Sequence, residues 1–181
     1  MQINRFTLSF TGEDAHLEED FLSTYLEKST PVFRIALLLG MFLYAMFALL
    51  DAVLFPEAKE KLWFIRFAVV CPFGLAAFVF SYFPLFSRYW RLTISLTVMV
   101  AGLGVIAMMY VVPPPQNFSS YAGLILVLFY SYTVPRALFL WSSITGWLLI
   151  CCNELFVLFI IDTPLPLLFN NKLFFIGANL I

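Results

Sequence analysis

The sequence predicts an all-α fold: a polytopic membrane bundle of about six transmembrane helices with a short N-terminal amphipathic helix. Three observations predict it. Hydrophobic residues make up 62% of the 181-residue chain and charged residues 12%, where soluble domains have about 45–50% and about 25%. The mean hydropathy of +0.95 marks more apolar surface than one core of this size can hide, so hydrocarbon must solvate much of it. The apolar residues also fall into separate runs of about 20, the length of helix that crosses a hydrocarbon core of about 30 Å.

Residues 1–31 form a polar, cytoplasmic N-terminal segment, and residues 32–181 the transmembrane domain. In the first segment Leu17, Phe21, Leu22, Tyr25 and Leu26 recur at helical spacing among Glu18, Glu19, Asp20 and Glu27, the pattern of a short amphipathic helix. Anionic lipid repels such an acidic face, so this helix is expected to pack on protein rather than on headgroups. The first span is Val32–Phe55, bracketed by Pro31 and Pro56. Leu62–Phe83 is the second, with a kink expected at Pro72. Leu92–Val112 is the third, ended by Pro113-Pro114-Pro115. Ser119–Val134 is a short fourth, and Leu138–Ile161 a fifth closed by Asp162-Thr163-Pro164. The sixth begins near Leu167 or Lys172 and reaches Ile181. Its rise from Lys172 is only about 15 Å, half of the core, so the helix is expected to continue into further sequence.

Orientation follows from basic residues near the helix ends. Arg5, Lys28, Arg34, Arg88, Arg91 and Arg136 fall on one side; Lys59, Lys61, Arg66 and Lys172 on the other. The bias places the N-terminus in the cytoplasm, and six crossings return the C-terminus there, in the plasma (inner) membrane. Trp63, Tyr89, Trp90, Tyr121 and Trp141 lie near predicted helix ends, where interfacial aromatics belong.

Composition narrows the chemistry. A net charge of −1 recommends no nucleic-acid partner. The three cysteines, Cys71, Cys151 and Cys152, lie in apolar runs without metal-ligand spacing, and an odd count there argues against a disulfide framework. The single histidine, His16, has no cysteine or serine arrangement around it that makes a metal centre or a nucleophile–base pair. The chain carries no signal-peptide pattern. No catalytic residue, metal site or cofactor is expected, and the chain by itself is not expected to be an enzyme.

Ionisable groups within spans are costly and therefore candidates for function. Asp51 lies about one turn from the outer end of the first span and Arg66 about one turn into the second, so a hairpin brings them to similar depth. Glu154, with Asn153 beside it, lies about 24 Å along the fifth span and also falls in the outer half. Asp51, Arg66, Asn153 and Glu154 thus form a candidate ligand-binding cluster. The alternative is structural: an Asp51–Arg66 ion pair that locks the first hairpin, with Glu154 near the interface. A second pattern is of small residues at spacings of four: Ala36, Gly40, Ala48 and Ala52, interrupted by Tyr44; Thr93, Thr97 and Ala101; Ser142 and Gly146. Such stripes let helices approach closely, either within the bundle or across a dimer interface.

Three segments carry a resemblance: Leu62-Trp63-Phe64-Ile65-Arg66-Phe67-Ala68-Val69-Val70-Cys71-Pro72, Tyr121-Ala122-Gly123-Leu124-Ile125-Leu126-Val127, and Asp162-Thr163-Pro164 with Phe175-Ile176-Gly177-Ala178-Asn179-Leu180-Ile181. With these the chain resembles, from about residue 20 onward, the N-terminal six-helix membrane region of bacterial class III adenylate/guanylate cyclases. In that family the sixth helix leads through a cytoplasmic connector to a dimeric catalytic domain with metal-binding aspartates, none of which lies in these residues. The resemblance implies a membrane anchor, a homodimerisation element and a receptor for an extracellular or lipid-borne ligand. The competing expectation is a small transporter or channel, with Asp51, Arg66 and Glu154 along a path; that architecture should show internal duplication, and no repeat relates 32–112 to 119–181.

Overall fold

In the computed structural model, residues 17–112, 121–133 and 139–160 are described, together with Gly177. Among these residues the regular structure is helical throughout, with no strand. Helix α1 is Leu17–Leu54, α2 is Lys59–Phe80, α3 is Phe86–Val111, α4 is Tyr121–Thr133 and α5 is Phe139–Ile160. Four of them contain stretches long and apolar enough to cross a membrane: Phe21–Leu54, Lys59–Phe80, Phe86–Val111 and Leu140–Val157. The molecule is a membrane-type helical bundle. The described part of helix α4, 13 residues, rises about 20 Å. The predicted sixth span lies outside the described residues except for Gly177.

The predicted break at Pro31 does not occur. Helix α1 runs unbroken for 38 residues with Pro31 inside it, about 57 Å of helix, so the amphipathic segment and the first span are one continuous helix. Pro31 has no N–H for the carbonyl of Glu27. It sits on the exposed side, where that carbonyl can be hydrated, and just before it the Thr30 hydroxyl donates to Leu26 O at 2.7 Å. Tertiary contact holds the extension in register: Tyr25 and Leu26 pack against a buried cluster containing Phe33, Leu37, Phe86, Trp90 and Ile94. Of the amphipathic face, Tyr25 and Leu26 therefore pack on protein, while Phe21 is 48% exposed.

That cluster also corrects the start of the third helix. Helix α3 begins at Phe86, earlier than the predicted Leu92, because Phe86 and Trp90 are core residues: the Phe86 ring stacks on Phe33 at 5.5 Å. Trp90 is only 5% exposed, so it is a packing residue rather than an interfacial anchor. Arg88 and Arg91 lie within the helix rather than in a loop.

Helix α3 is the central element. Of its most apolar stretch 44% is buried, against 17% for α1, and it packs on α2, α4 and α5. Its Val98, Val105 and Ile106 meet Leu124 and Leu128 of α4 and Leu149 and Ile150 of α5 in one cluster. Two turns complete the frame. At the α1–α2 end, Phe55 N–H donates to Asp51 O at 2.9 Å and Ala58 N–H to Phe55 O at 3.1 Å. At the opposite end, Arg34 of α1 holds the α2–α3 turn: its Nε donates to Ser81 Oγ at 2.9 Å, its Nη2 to Ser81 O at 2.6 Å, and its guanidinium lies 3.8 Å from the Tyr82 ring centre.

Ala36 and Ala48 of the α1 stripe and Ser142 and Gly146 of the α5 stripe are buried, while Thr93, Thr97 and Ala101 of α3 are half-buried. Ala36 and Ala48 are 1% and 3% exposed, and their carbonyls accept hydrogen bonds from the Tyr130 hydroxyl at 2.6 Å and the Trp63 indole at 2.9 Å. A Cβ on Gly40 would lie 2.9 Å from the Tyr130 hydroxyl oxygen. On α5, buried Ser142 donates to Ser131 O at 3.1 Å. At these buried positions the stripes serve close approach within the chain.

Candidate functional site

Asp51 stands on the last turn of α1, and Arg66 on a distorted turn of α2. Residues Ile65–Val70 form a π-helical turn between the α-helical pieces Lys59–Phe64 and Cys71–Phe80. The cause is two residues downstream. Proline at 72 donates no N–H to Ala68, and its ring crowds that carbonyl; widening the preceding turn resolves the clash, and Cys71 N–H reaches back to Arg66 O, five residues away. The kink expected at Pro72 is thus a π turn, and the extra residue changes the facing of what precedes it by about 100°. Arg66 projects from the widened turn into the bundle.

There it meets Asp51 in a two-pronged pair. Arg66 Nε donates to Asp51 Oδ2 at 2.5 Å and Nη2 to Oδ1 at 3.0 Å; the residues are 8% and 6% exposed. Nη1 donates to the backbone oxygen of Tyr44 at 3.2 Å. The guanidinium carbon lies 4.8 Å from the Tyr44 ring centre and 6.0 Å from that of Phe47, so π faces help replace its lost water. These bonds use three of the five guanidinium N–H groups, leaving two to donate elsewhere.

The pair borders a cavity of about 550 Å³ between α1, α2, α3 and α4. Gly40, Tyr44 and Asp51 line it from α1, Arg66 and Gly74 from α2, Thr97, Ala101 and Val105 from α3, and Gly123 and Tyr130 from α4. Three of its hydroxyls donate to backbone carbonyls, Tyr130 to Ala36 O at 2.6 Å, Thr97 to Thr93 O at 2.7 Å, and Tyr44 to Ala101 O at 3.4 Å; Thr133 lines it with an exposed side chain. What remains is an apolar chamber with one charged wall.

The structure joins two of the four candidate residues. Asp51 and Arg66 form the pair; Asn153 and Glu154, on α5, do not line the cavity. Asn153 is 2% exposed, and its Oδ1 has no hydrogen-bond partner among the described residues; Glu154 is half-buried. Tyr44, Phe47 and the cavity itself escaped the sequence reading. The one signal for them was Tyr44, the bulky residue interrupting the small-residue stripe of α1. Among the described residues no three His, Cys, Asp or Glu side chains come together as metal ligands. The arrangement offers hydrogen-bond donors and shape rather than a nucleophile with its base.

Compared with family models, the chain matches MASE8 over residues 49–181, a range that contains Asp51, Arg66, Asn153 and Glu154. No curated protein and no solved structure matches it.

Proposed function

The chain belongs to the MASE8 family, and from that premise we propose that it is the membrane anchor, sensor and dimerisation module of a signalling enzyme. The enzyme is a class III adenylate/guanylate cyclase whose cytoplasmic catalytic domain is not among these residues. The observation that carries the sensor reading is the cavity of about 550 Å³ walled by four helices. A ligand seated there touches all four at once, so its affinity depends on how they are arranged, and its binding shifts that arrangement toward the tighter state. The cyclase assignment draws on the resemblance of the three segments around Arg66, Gly123 and Gly177.

In this reading six spans cross the inner membrane, both termini are cytoplasmic, and the last span passes the shift to a dimeric output. The transporter or channel reading needs a charged path through Asp51, Arg66 and Glu154; the cavity includes only the first two, already paired to each other. The test is a fusion of this bundle to a cyclase catalytic domain, reconstituted in liposomes. Cyclic nucleotide production is expected to change when an extracellular or lipid-borne ligand is added, and the fusion to run as a dimer in detergent. A flat response together with monomeric behaviour would overturn the proposal.

A further inference from the structure

We propose that the cavity binds a single-chain, uncharged amphiphile, with its polar head on the Asp51–Arg66 pair and its alkyl chain along the cleft between α1 and α4. The inference rests on the sensor reading and names its ligand class. From Asp51 to Gly40 the cleft follows α1 for about 16 Å, and at the far end the Tyr130 hydroxyl spans it to Ala36 O at 2.6 Å. The volume, about 550 Å³, is that of a small-molecule site, with room for one alkyl chain.

The head is fixed by donor count. The cavity hydroxyls of Tyr44, Thr97 and Tyr130 already donate to carbonyls and Thr133 is exposed, whereas buried Arg66 has two N–H groups beyond its three bonds. A hydroxyl or ketone oxygen can accept from them. A carboxylate or ammonium cannot bind as well: Arg66 and Asp51 cancel each other, and a third charge in an apolar chamber would be buried without a counterion. Leu39 and Leu43 of α1 and Leu126 of α4 line the cleft and are also 46%, 42% and 47% exposed. Such an amphiphile therefore slides in sideways from the hydrocarbon.

The test uses the full chain in phosphatidylcholine nanodiscs, with a long-chain alkyl alcohol carrying a mid-chain diazirine as probe and mass spectrometry to map the adducts. Saturable labelling of α1 and α4 peptides is expected, competed by the unlabelled alcohol and far less by the carboxylate or the amine of equal chain length. Ala122→Trp, which fills the cleft, should weaken saturation about tenfold or more, the scale on which an apolar pocket discriminates. The pair Asp51→Leu with Arg66→Met removes the head contact while keeping the hairpin apolar, and should weaken it similarly. Labelling that never saturates, equal competition by the carboxylate, or capture of a diazirine phosphatidylcholine instead would overturn the assignment. A fusion that answers another ligand while the alcohol fails to label would sink this inference and leave the sensor standing. Saturable labelling with unchanged cyclase output would do the reverse.

Discussion

At the residue scale, the energetic weight lies on Asp51 and Arg66. A two-pronged ion pair this deeply buried need not stabilise the bundle relative to apolar residues of similar size, but removing one member leaves a charge in low dielectric. Asp51→Ala and Arg66→Ala are each expected to cost about 3–5 kcal/mol, read from reversible unfolding in mixed micelles, while Asp51→Leu with Arg66→Met together are near neutral. A loss in the double variant equal to the sum of the two single losses would show that no coupling exists. Gly104 makes a second residue-scale case: a Cβ there would lie 2.6 Å from Val70 Cγ2 and 2.8 Å from the Tyr44 hydroxyl oxygen. Gly104→Ala should therefore cost about 1–3 kcal/mol through overpacking. Asp51 and Arg66 were legible in the sequence because charges are rare in apolar runs and a short hairpin aligns them. Asn153 and Glu154, expected at similar depth, do not line the cavity; sequence spacing reports position along a helix and says little about which neighbour a face meets.

At the element scale, two prolines behave against simple expectation. Pro31 lies inside α1 without ending it, and Pro72 acts on the turn that precedes it. Composition could announce both as breakers; it could not tell that packing of Tyr25 and Leu26 on the Phe33–Trp90 cluster carries α1 through the first, or that the second is relieved by a π turn. The π turn yields a prediction with an unusual sign. Replacing a helix-interior proline with alanine ordinarily gains about 3 kcal/mol. Here Pro72→Ala removes the reason for the widened turn, and a regular α-helix would swing Arg66 off Asp51 by about 100°. Pro72→Ala is expected to destabilise the wild-type bundle but not the Asp51→Leu, Arg66→Met background, a contrast that a double-mutant cycle measures. A gain in both backgrounds would mean that the proline does not position Arg66.

At the scale of the whole molecule, one physical fact organises the rest: long apolar helices that expose leucine, phenylalanine and isoleucine on their outward faces and pack leucine, valine, isoleucine and aromatic rings inside, with small and hydroxylated residues between them. Only 17–44% of the most apolar stretches is buried inside the bundle, so hydrocarbon must solvate the remainder. The helical class and four of the spans were therefore plain from composition and run length alone. The cavity was not, because it arises where four helices fail to meet, which no single run reveals. The measurement that bears most directly on the whole account is a topology map. Cys71, Cys151 and Cys152 would be replaced by serine, and single cysteines introduced as Glu57→Cys in the α1–α2 turn and Ser87→Cys at the start of α3. In sealed vesicles of known orientation, a membrane-impermeant thiol reagent should reach position 57 only from the outer face and position 87 only from the cytoplasmic face. Reaction of both positions from the same face would contradict the account.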